Sequence, residues 1–310
     1  MSIGVVLYPP ESGNAVDGVV AHAREARDAG LRSVWWGQRF DYDGIGLATV
    51  VGREVPDVRV GTSAVPIFGR HPLLVNAQAQ TAQAATGGRF QLGLALGAPG
   101  IVEPAFGLKH ERPALRLREF LTVLRTLADT GTVDFAGETI TARAVRPVPL
   151  PGADPAPLLV AALGPHALRA TGELADGTLP FLAGPRALGE HIVPAITAAA
   201  EAAGRPAPRI VAFLPGAVVP AAELDAARAR AEEHFAFYDT VPSYRRVIAL
   251  EGKERAAELV ALGDEKTLAD EIRRYFDAGA TEVVVSQSDL AGDAARRRTF
   301  ALLGELADRV

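Results

Sequence analysis

The clearest pattern of apolar and polar positions lies in residues 58–100, where two apolar runs flank a long segment rich in Ala and Gln. The runs cover residues 58–65 and 90–97, and each has the length of a buried strand. His71-Pro72 predicts a helix start between them, because proline fits the first helical turn, and Gly87-Gly88 predicts the helix end. The stretch therefore predicts a strand, a helix and a second strand, which is a βαβ unit.

Short apolar runs alternate with longer helical segments along the rest of the chain. Strands are predicted at residues 3–8, 33–36, 58–65, 90–97, 158–162, 178–182, 210–219 and 282–286. Such runs are expected when helices cover both faces of a parallel sheet. They predict an α/β fold, a (β/α)8 TIM barrel with insertions. A doubly wound open sheet is the competing prediction, but the G-x-G-x-x-G turn that would favour it is missing after the first strand.

We expect residues 1–310 to form a single domain with insertions near 132–157 and 238–263. The first insertion contains a predicted β-hairpin with Gly137 at its middle. The second is predicted to be irregular with a helical portion. Residues 98–112 are predicted to be a loop, residues 113–130 an amphipathic helix, and the last helix is predicted to run to Val310.

Composition and charge narrow the classes of protein that the chain can belong to. Its 310 residues include no cysteine, which excludes disulfides, thiolate metal sites and a cysteine nucleophile. The six histidines are not spaced as metal ligands, so no metal site is expected. A net charge of −5 gives no electrostatic reason to expect nucleic acid. No signal peptide and no apolar run of roughly 20 residues is present, so we expect a cytoplasmic protein without a membrane segment.

Chemistry in a (β/α)8 barrel takes place at the carboxyl ends of the strands. The residues predicted there are mainly small and apolar, which suits a large planar cofactor that supplies the reactivity itself. Arg39 could meet an anion or form a structural ion pair, and His110 lies on a loop that is either a lid or a solvated turn. Gly164-Pro165-His166 opens a helix whose N–H groups favour phosphate, although an ordinary helix start has the same pattern.

Five short motifs follow one another in a specific order. They are GTSAV at residues 61–65, RHP at 70–72, GGRFQLG at 87–93, VAALGP at 160–165 and ADG at 175–177. In this order they resemble the bacterial luciferase-like family, and specifically its coenzyme F420-dependent oxidoreductases. The resemblance covers nearly the whole chain.

The resemblance implies a (β/α)8 barrel that forms a homodimer and binds the deazaflavin coenzyme F420, with FMN as the alternative cofactor. It also implies a non-prolyl cis peptide bond near Ser63-Ala64, behind the deazaflavin ring. The residues implied to bind the cofactor are Thr62, Ser63, Ala64, Ala95, Leu96, Gly97, Ala98, Ala161, Ala162, Leu163, Gly164, Pro165 and His166.

The chain departs from the sugar-phosphate dehydrogenases of this family at the positions that would hold their substrate. Those enzymes carry Asp-His where this chain has Gln38-Arg39, and an acid where it has Ala98. Their phosphate-binding Thr and Lys correspond to Phe181 and Gly184. Oxidation of glucose 6-phosphate is therefore not expected.

We therefore predict a reductase that uses F420H2 to transfer a hydride to a C=N or C=C bond of a small organic or peptide substrate. The predicted catalytic residues are Gln38, Arg39, Tyr8 and His110, with Tyr42 or water as further sources of a proton. Two alternatives stay open. One is an FMN-dependent luciferase-like monooxygenase, and the other is a non-catalytic flavin-binding barrel.

Overall fold

The computed structural model of the protein describes residues 1–144 and 146–309. Val145, inside the predicted first insertion, and Val310, the predicted end of the last helix, lie outside the described residues. The chain forms two compact units. The first unit comprises Met1–Trp35, Leu179–Ala195 and the chain from Arg209 onwards, and the second unit comprises Trp36–Thr178 and Ile196–Pro208. The single domain with insertions stays a prediction.

The strands are β1 Ser2–Val6, β2 Ser33–Trp36, β3 Arg59–Thr62, β4 Val65–Pro66, β5 Phe90–Ala95, β6 Val133–Ala136, β7 Thr141–Ala144, β8 Leu158–Ala161, β9 Gly177–Thr178, β10 Arg209–Val218, β11 Ala261–Gly263 and β12 Glu282–Ser286. The α-helices are α1 Ala15–Asp28, α2 Gly44–Glu54, α3 Pro72–Thr86, α4 Pro99–Phe106, α5 Pro113–Thr130, α6 Pro165–Leu174, α7 Pro185–Ala187, α8 Val193–Ala202, α9 Leu224–Phe235, α10 Pro242–Leu250, α11 Glu265–Asp277 and α12 Asp293–Ala307. A π-helical turn at Leu188–Ile192 joins α7 to α8, and 3-10 turns cover Ala221–Glu223, Tyr238–Thr240 and Ala256–Leu259. None of the described helices combines the length and the apolarity that a bilayer crossing requires.

Parallel pairing dominates the first unit. Strand β1 pairs with β2 and β12, and β10 pairs with β11 and β12. Glu282 is buried at the start of β12, and its carboxylate accepts hydrogen bonds from Ser33 Oγ at 2.6 Å and from Arg209 at 3.1 Å. The predicted second insertion contributes Tyr238 and Tyr244, whose rings pack edge-on against each other at 4.9 Å. Burial raises the pKa of Tyr244, so this ring stays neutral at physiological pH.

The second unit is built around β5, which pairs in parallel with β3, β4 and β8. Two residues from the sequence motifs hold element ends in this unit. Arg89 donates to the carbonyl oxygen of Gly52 at 2.7 Å, in the last turn of α2, and to that of Val58 at 2.5 Å, just before β3. Asp176 accepts a hydrogen bond from the Leu158 N–H at 2.8 Å and so fixes the start of β8. These motif residues therefore stabilise the scaffold that carries the site.

Helix ends follow the predicted signals. His71 is the N-cap of α3, because its Nδ1 accepts a hydrogen bond from the Leu73 N–H at 3.3 Å, and Gly87 ends the helix with φ of 60°. The loop predicted at residues 98–112 was wrong, because α4 occupies Pro99–Phe106. Pro99 is compatible with a first helical turn, but a second proline at 104 conceals the helix in the sequence.

The tip of the predicted hairpin is held by one carboxylate. Glu119 of α5 is buried and accepts hydrogen bonds from the N–H groups of Glu138, Thr139 and Ile140 at 2.7, 2.8 and 2.9 Å. A Cβ at Gly137 would lie 2.5 Å from this carboxylate, so the turn requires glycine. Burial acts to raise the pKa of Glu119, but the hydrogen bonds from Thr139 and the backbone outweigh it and leave the pKa below its ordinary value.

Substituting Glu119→Gln is expected to destabilise the protein by about 2 kcal/mol at neutral pH, because a buried amide NH2 would face backbone donors. The pKa of the folded carboxylate is depressed, so its contribution is present above the ordinary pKa of 4.5 and is lost as the pH falls through the lower folded value. Urea unfolding of both proteins from neutral to acid pH would measure this. The difference in free energy of unfolding should narrow below the ordinary pKa, and a constant difference would contradict the assignment.

Candidate active site

A pocket of about 1020 Å³ lies in the second unit, where loops follow the carboxyl ends of β2, β4 and β5. Its size is in the range of pockets that enclose small molecules and cofactors. The lining residues are 38–43 after β2, Pro66 and 68–70 at and after β4, and Gly97, Ala98, Ile101, Val102 and Phe106 after β5.

Gln38 organises the loop after β2. Its amide nitrogen donates to the carbonyl oxygens of Arg39 at 2.6 Å and Tyr42 at 2.7 Å. Its amide oxygen accepts from the Gly44 N–H at 3.0 Å and from Arg70 at 2.9 Å. Both amide hydrogens and the oxygen are therefore used inside the protein, which makes Gln38 a positioning residue for this side of the pocket.

The charged groups of the pocket pair with one another. Arg39 Nε lies 2.9 Å from an Asp41 oxygen, and Arg70 lies 2.9 Å from an Asp43 oxygen. The hydrogen bond between Arg39 and Asp41 raises the pKa of Arg39 and lowers that of Asp41, so this pair stays ionised at neutral pH. Burial raises the pKa of Tyr42 to about 12, so its hydroxyl stays protonated at neutral pH, and its role as a proton donor stays a prediction.

His110 supports the wall of the pocket from behind Phe68. The two rings stack with centroids 4.5 Å apart, and the Arg116 guanidinium lies 5.0 Å from the Phe68 centroid. His110 Nε2 lies 3.1 Å from the carbonyl oxygen of Gly97, while its backbone N–H donates to Glu103 at 3.0 Å. In this arrangement His110 fixes the Gly97 backbone, and its predicted catalytic role stays a prediction.

The predicted cis peptide bond between Ser63 and Ala64 is confirmed. The Ser63 N–H donates to the Trp36 carbonyl at 2.8 Å, and the Gln38 N–H donates to the Ala64 carbonyl at 3.4 Å. The hydroxyl of the neighbouring Thr62 is buried and hydrogen-bonded to the backbone of β5. The structure therefore gives Thr62 a structural contact, and its cofactor contact stays a prediction.

The remaining predicted cofactor residues lie on two neighbouring strands. Ala95, at the end of β5, pairs with Ala161, at the end of β8, and Leu96 and Ala162 follow them. Leu163 leads into Gly164, which precedes α6 without any side-chain cap, and a Cβ at Gly164 would meet nothing within 4 Å. Pro165 and the exposed His166 begin that helix. An uncapped helix start with open space around it fits a phosphate group, and the small residues at both strand ends fit a flat ring.

Tyr8, the remaining predicted catalytic residue, belongs to the first unit. Gln287 is nearly buried, has a left-handed backbone with φ of 54°, and donates a hydrogen bond from its amide to the Tyr8 hydroxyl. The carbonyl oxygen of Tyr8 lies 3.1 Å from His22 Nδ1. Gln287 thus positions the Tyr8 hydroxyl, and the catalytic role of Tyr8 stays a prediction.

The pocket brings together four predicted residues, namely Gln38, Arg39, Gly97 and Ala98. Sequence reasoning gave no site role to Phe40, Phe68, Arg70 or Phe106, although Phe40 and Phe68 lie in strand-end segments that it selected. It considered Tyr42 as a proton donor. The available signal was an aromatic residue in an otherwise polar loop, as at Phe40. Among the residues that the structure describes, no group of three or more acidic or histidine side chains could hold a metal ion.

The sequence of the chain is similar to those of several known proteins. Residues 1–284 match the family model described as luciferase-like monooxygenase. The chain is 28% identical over 255 residues to the uncharacterized protein Rv1360 of Mycobacterium tuberculosis, covering 79% of this chain and 74% of that protein. It is 30% identical over 217 residues to the F420-dependent hydroxymycolic acid dehydrogenase of the same species, covering 66% of this chain and 58% of that protein.

The structure is similar to that of the coenzyme F420-dependent tetrahydromethanopterin reductase from Methanopyrus kandleri. The two have a TM-score of 0.75 and 21% sequence identity, and the match covers 99% of this chain and 98% of the other. A likeness of this extent shows the fold. The predicted (β/α)8 TIM barrel is therefore confirmed, and the open doubly wound sheet is excluded.

Proposed function

The chain belongs to the luciferase-like monooxygenase family, and on this premise we propose that it is a coenzyme F420-dependent oxidoreductase. In the proposed reaction, a hydride passes to a C=N or C=C bond of a small organic or peptide substrate. The deazaflavin supplies that hydride when it is bound. The F420-dependent relative with 30% identity supports this cofactor over FMN.

One observation carries the proposal. Strand β5 ends in small apolar residues, and the neighbouring strand β8 leads into the uncapped start of α6. The pairing of Ala95 with Ala161 joins the ends of these two strands. A cofactor that combines a flat ring with a phosphate group has one partner for each part at this edge. Ala95, Leu96, Gly97 and Ala98 would hold the ring, and residues 161–166 would hold the ribityl and phosphate part.

The pocket residues would act by position rather than by acid-base exchange with a charged group. Gln38 holds the loop after β2, and His110 holds the Gly97 backbone at the proposed ring wall. Tyr42 keeps its proton at neutral pH, and because its pKa is raised it would give that proton only to a strongly basic anion formed by hydride transfer.

Titration of the purified protein with F420 and with FMN would test the proposal. We expect F420 to bind in the micromolar range and at least tenfold more tightly than FMN. Substituting His166→Glu should weaken F420 binding about tenfold by repelling its phosphate group, whereas the matched change at the exposed His191 should have no effect.

Two outcomes would favour the alternatives that the sequence leaves open. Oxygen consumption with reduced FMN and substrate would indicate a monooxygenase and contradict the reductase. Failure to bind either cofactor would indicate a non-catalytic barrel. The homodimer and the cytoplasmic location remain proposals from the family resemblance, and sedimentation analysis would test the dimer.

A further inference from the structure

We propose that the pocket selects an uncharged, planar aromatic substrate, and that Phe40 and Phe106 determine this specificity. The inference rests on the proposed function only in treating the pocket as the place where the substrate binds. It is carried by the way the charges of the pocket are paired and by the exposure of these two aromatic rings.

The four charged side chains of the pocket sum to zero and are already paired. Arg39 pairs with Asp41, and Arg70 pairs with Asp43, each at 2.9 Å. A phosphate or carboxylate on a substrate would have to share an arginine that already has an aspartate partner, and it would lie close to the negative charge of that aspartate. The pocket therefore discriminates against anionic ligands and accepts neutral ones.

The apolar part of the pocket presents aromatic rings at its rim. Phe40 is 75% exposed and Phe106 is 42% exposed, although both are large apolar residues. They come from two different segments, after β2 and at the end of α4, and their centroids are 5.9 Å apart in an edge-on contact. A ligand that covers these exposed phenylalanine rings removes their apolar surface from water. An aromatic ligand offers both the apolar area and a favourable ring geometry for this contact.

The inner wall is suited to the same class of ligand. Phe68 lines the pocket and is held rigidly by the stacked His110 ring, although only 3% of its surface is exposed. Pro66, Ile101 and Val102 add aliphatic area. The volume of about 1020 Å³ leaves room for a bicyclic ring system.

A matched pair of ligands separates the effect of charge from that of shape. We would use 1,4-naphthoquinone as the neutral probe and its 2-sulfonate as the anionic one, and measure binding by calorimetry with and without saturating oxidised F420. The chain has no cysteine, so a quinone cannot add to a thiol. We expect micromolar binding of the neutral probe, and binding of the sulfonate at least tenfold weaker.

Variants then test the named residues. Phe40→Ala and Phe106→Ala should each weaken binding of the neutral probe about tenfold, because each removes one of the two exposed rings that the ligand would cover. Phe237→Ala is the matched control, since Phe237 is 45% exposed but belongs to the first unit, and it should not change the affinity. Unchanged affinity in both Phe40→Ala and Phe106→Ala would overturn the proposal.

A third variant tests the role of the paired charges. Asp41→Asn should release Arg39 from its ion pair, so the sulfonate should gain about tenfold in affinity while the neutral probe is unaffected. Equal binding of the two probes to the unmodified protein would overturn the charge argument.

The two arms with and without F420 distinguish this proposal from the proposed function. If F420 binds but abolishes binding of the neutral probe, the pocket holds the cofactor ring, and the substrate assignment fails while the proposed function stands. If the probe binds and F420 does not, the proposed function fails while the selectivity of the pocket stands.

Discussion

Replacing Gln38 with alanine is expected to weaken binding of F420 and of any pocket ligand at least tenfold. The substitution removes four hydrogen bonds that join the loop after β2 to itself and to Arg70. Each bond contributes about 0.5–1.5 kcal/mol, so the loop would lose roughly 2–6 kcal/mol of local stability. Hydrogen exchange at the Gly44 N–H, which donates to Gln38, should accelerate, and calorimetric titration would give the change in affinity.

The matched variant is Gln38→Glu, which keeps the side-chain length and the acceptor but loses both donors. Its second carboxylate oxygen would face the carbonyl oxygens of Arg39 and Tyr42, so it should weaken binding nearly as much. Alanine at the exposed Arg39 should have a smaller effect, because its ion-pair partner Asp41 is another exposed residue of the same loop. Unchanged affinity and exchange in Gln38→Ala would show that the loop is ordered without this amide.

Substituting Gly304→Ala is expected to cost at least about 3 kcal/mol of stability, because it would overpack a contact between backbones. An added Cβ at this position in α12 would lie 1.6 Å from the carbonyl oxygen of Ala29, at the end of α1. Neither partner is a side chain that could rotate away, so α12 would have to move. The expected fall in melting temperature is about 5–10 °C in a thermal scan.

Gly100→Ala provides the control for this substitution. Gly100 also lies in a helix, α4, and a Cβ there would meet nothing within 4 Å. Alanine should therefore raise or preserve the melting temperature, since it favours the helix by up to about 1 kcal/mol. Equal melting temperatures for the two variants would mean that α12 can shift without cost.

Helices and strands with clear start and stop signals could be predicted from the sequence. Helix α5 begins at Pro113 and ends before Gly131, as predicted, because proline fits its first turn and Gly131 adopts a left-handed backbone with φ of 73°. Strand β12, Glu282–Ser286, was also predicted with its bounds, since a run of β-branched apolar residues favours a strand. The sixth predicted strand, 178–182, was too long, because regular pairing ends at Thr178.

The site could be predicted in part. The rule that chemistry lies at strand ends led to Gln38, Arg39 and Gly97, which the structure places at one pocket. It could not reveal that the Gln38 amide is fully engaged within its loop, because hydrogen-bond partners depend on the folded backbone. It also missed Phe106, because the proline at 104 conceals the helix that presents this residue.

Helix α4 joins its unit through very little apolar packing. Of its eight residues, only Val102 is buried, and Val102 lines the pocket together with Ile101 and Phe106. For enzyme engineering, this sparse packing means that most positions of α4 can be substituted. A library that retains Val102 and randomises Ile101 and Phe106 would change the shape of the pocket without any substitution in the parallel sheet.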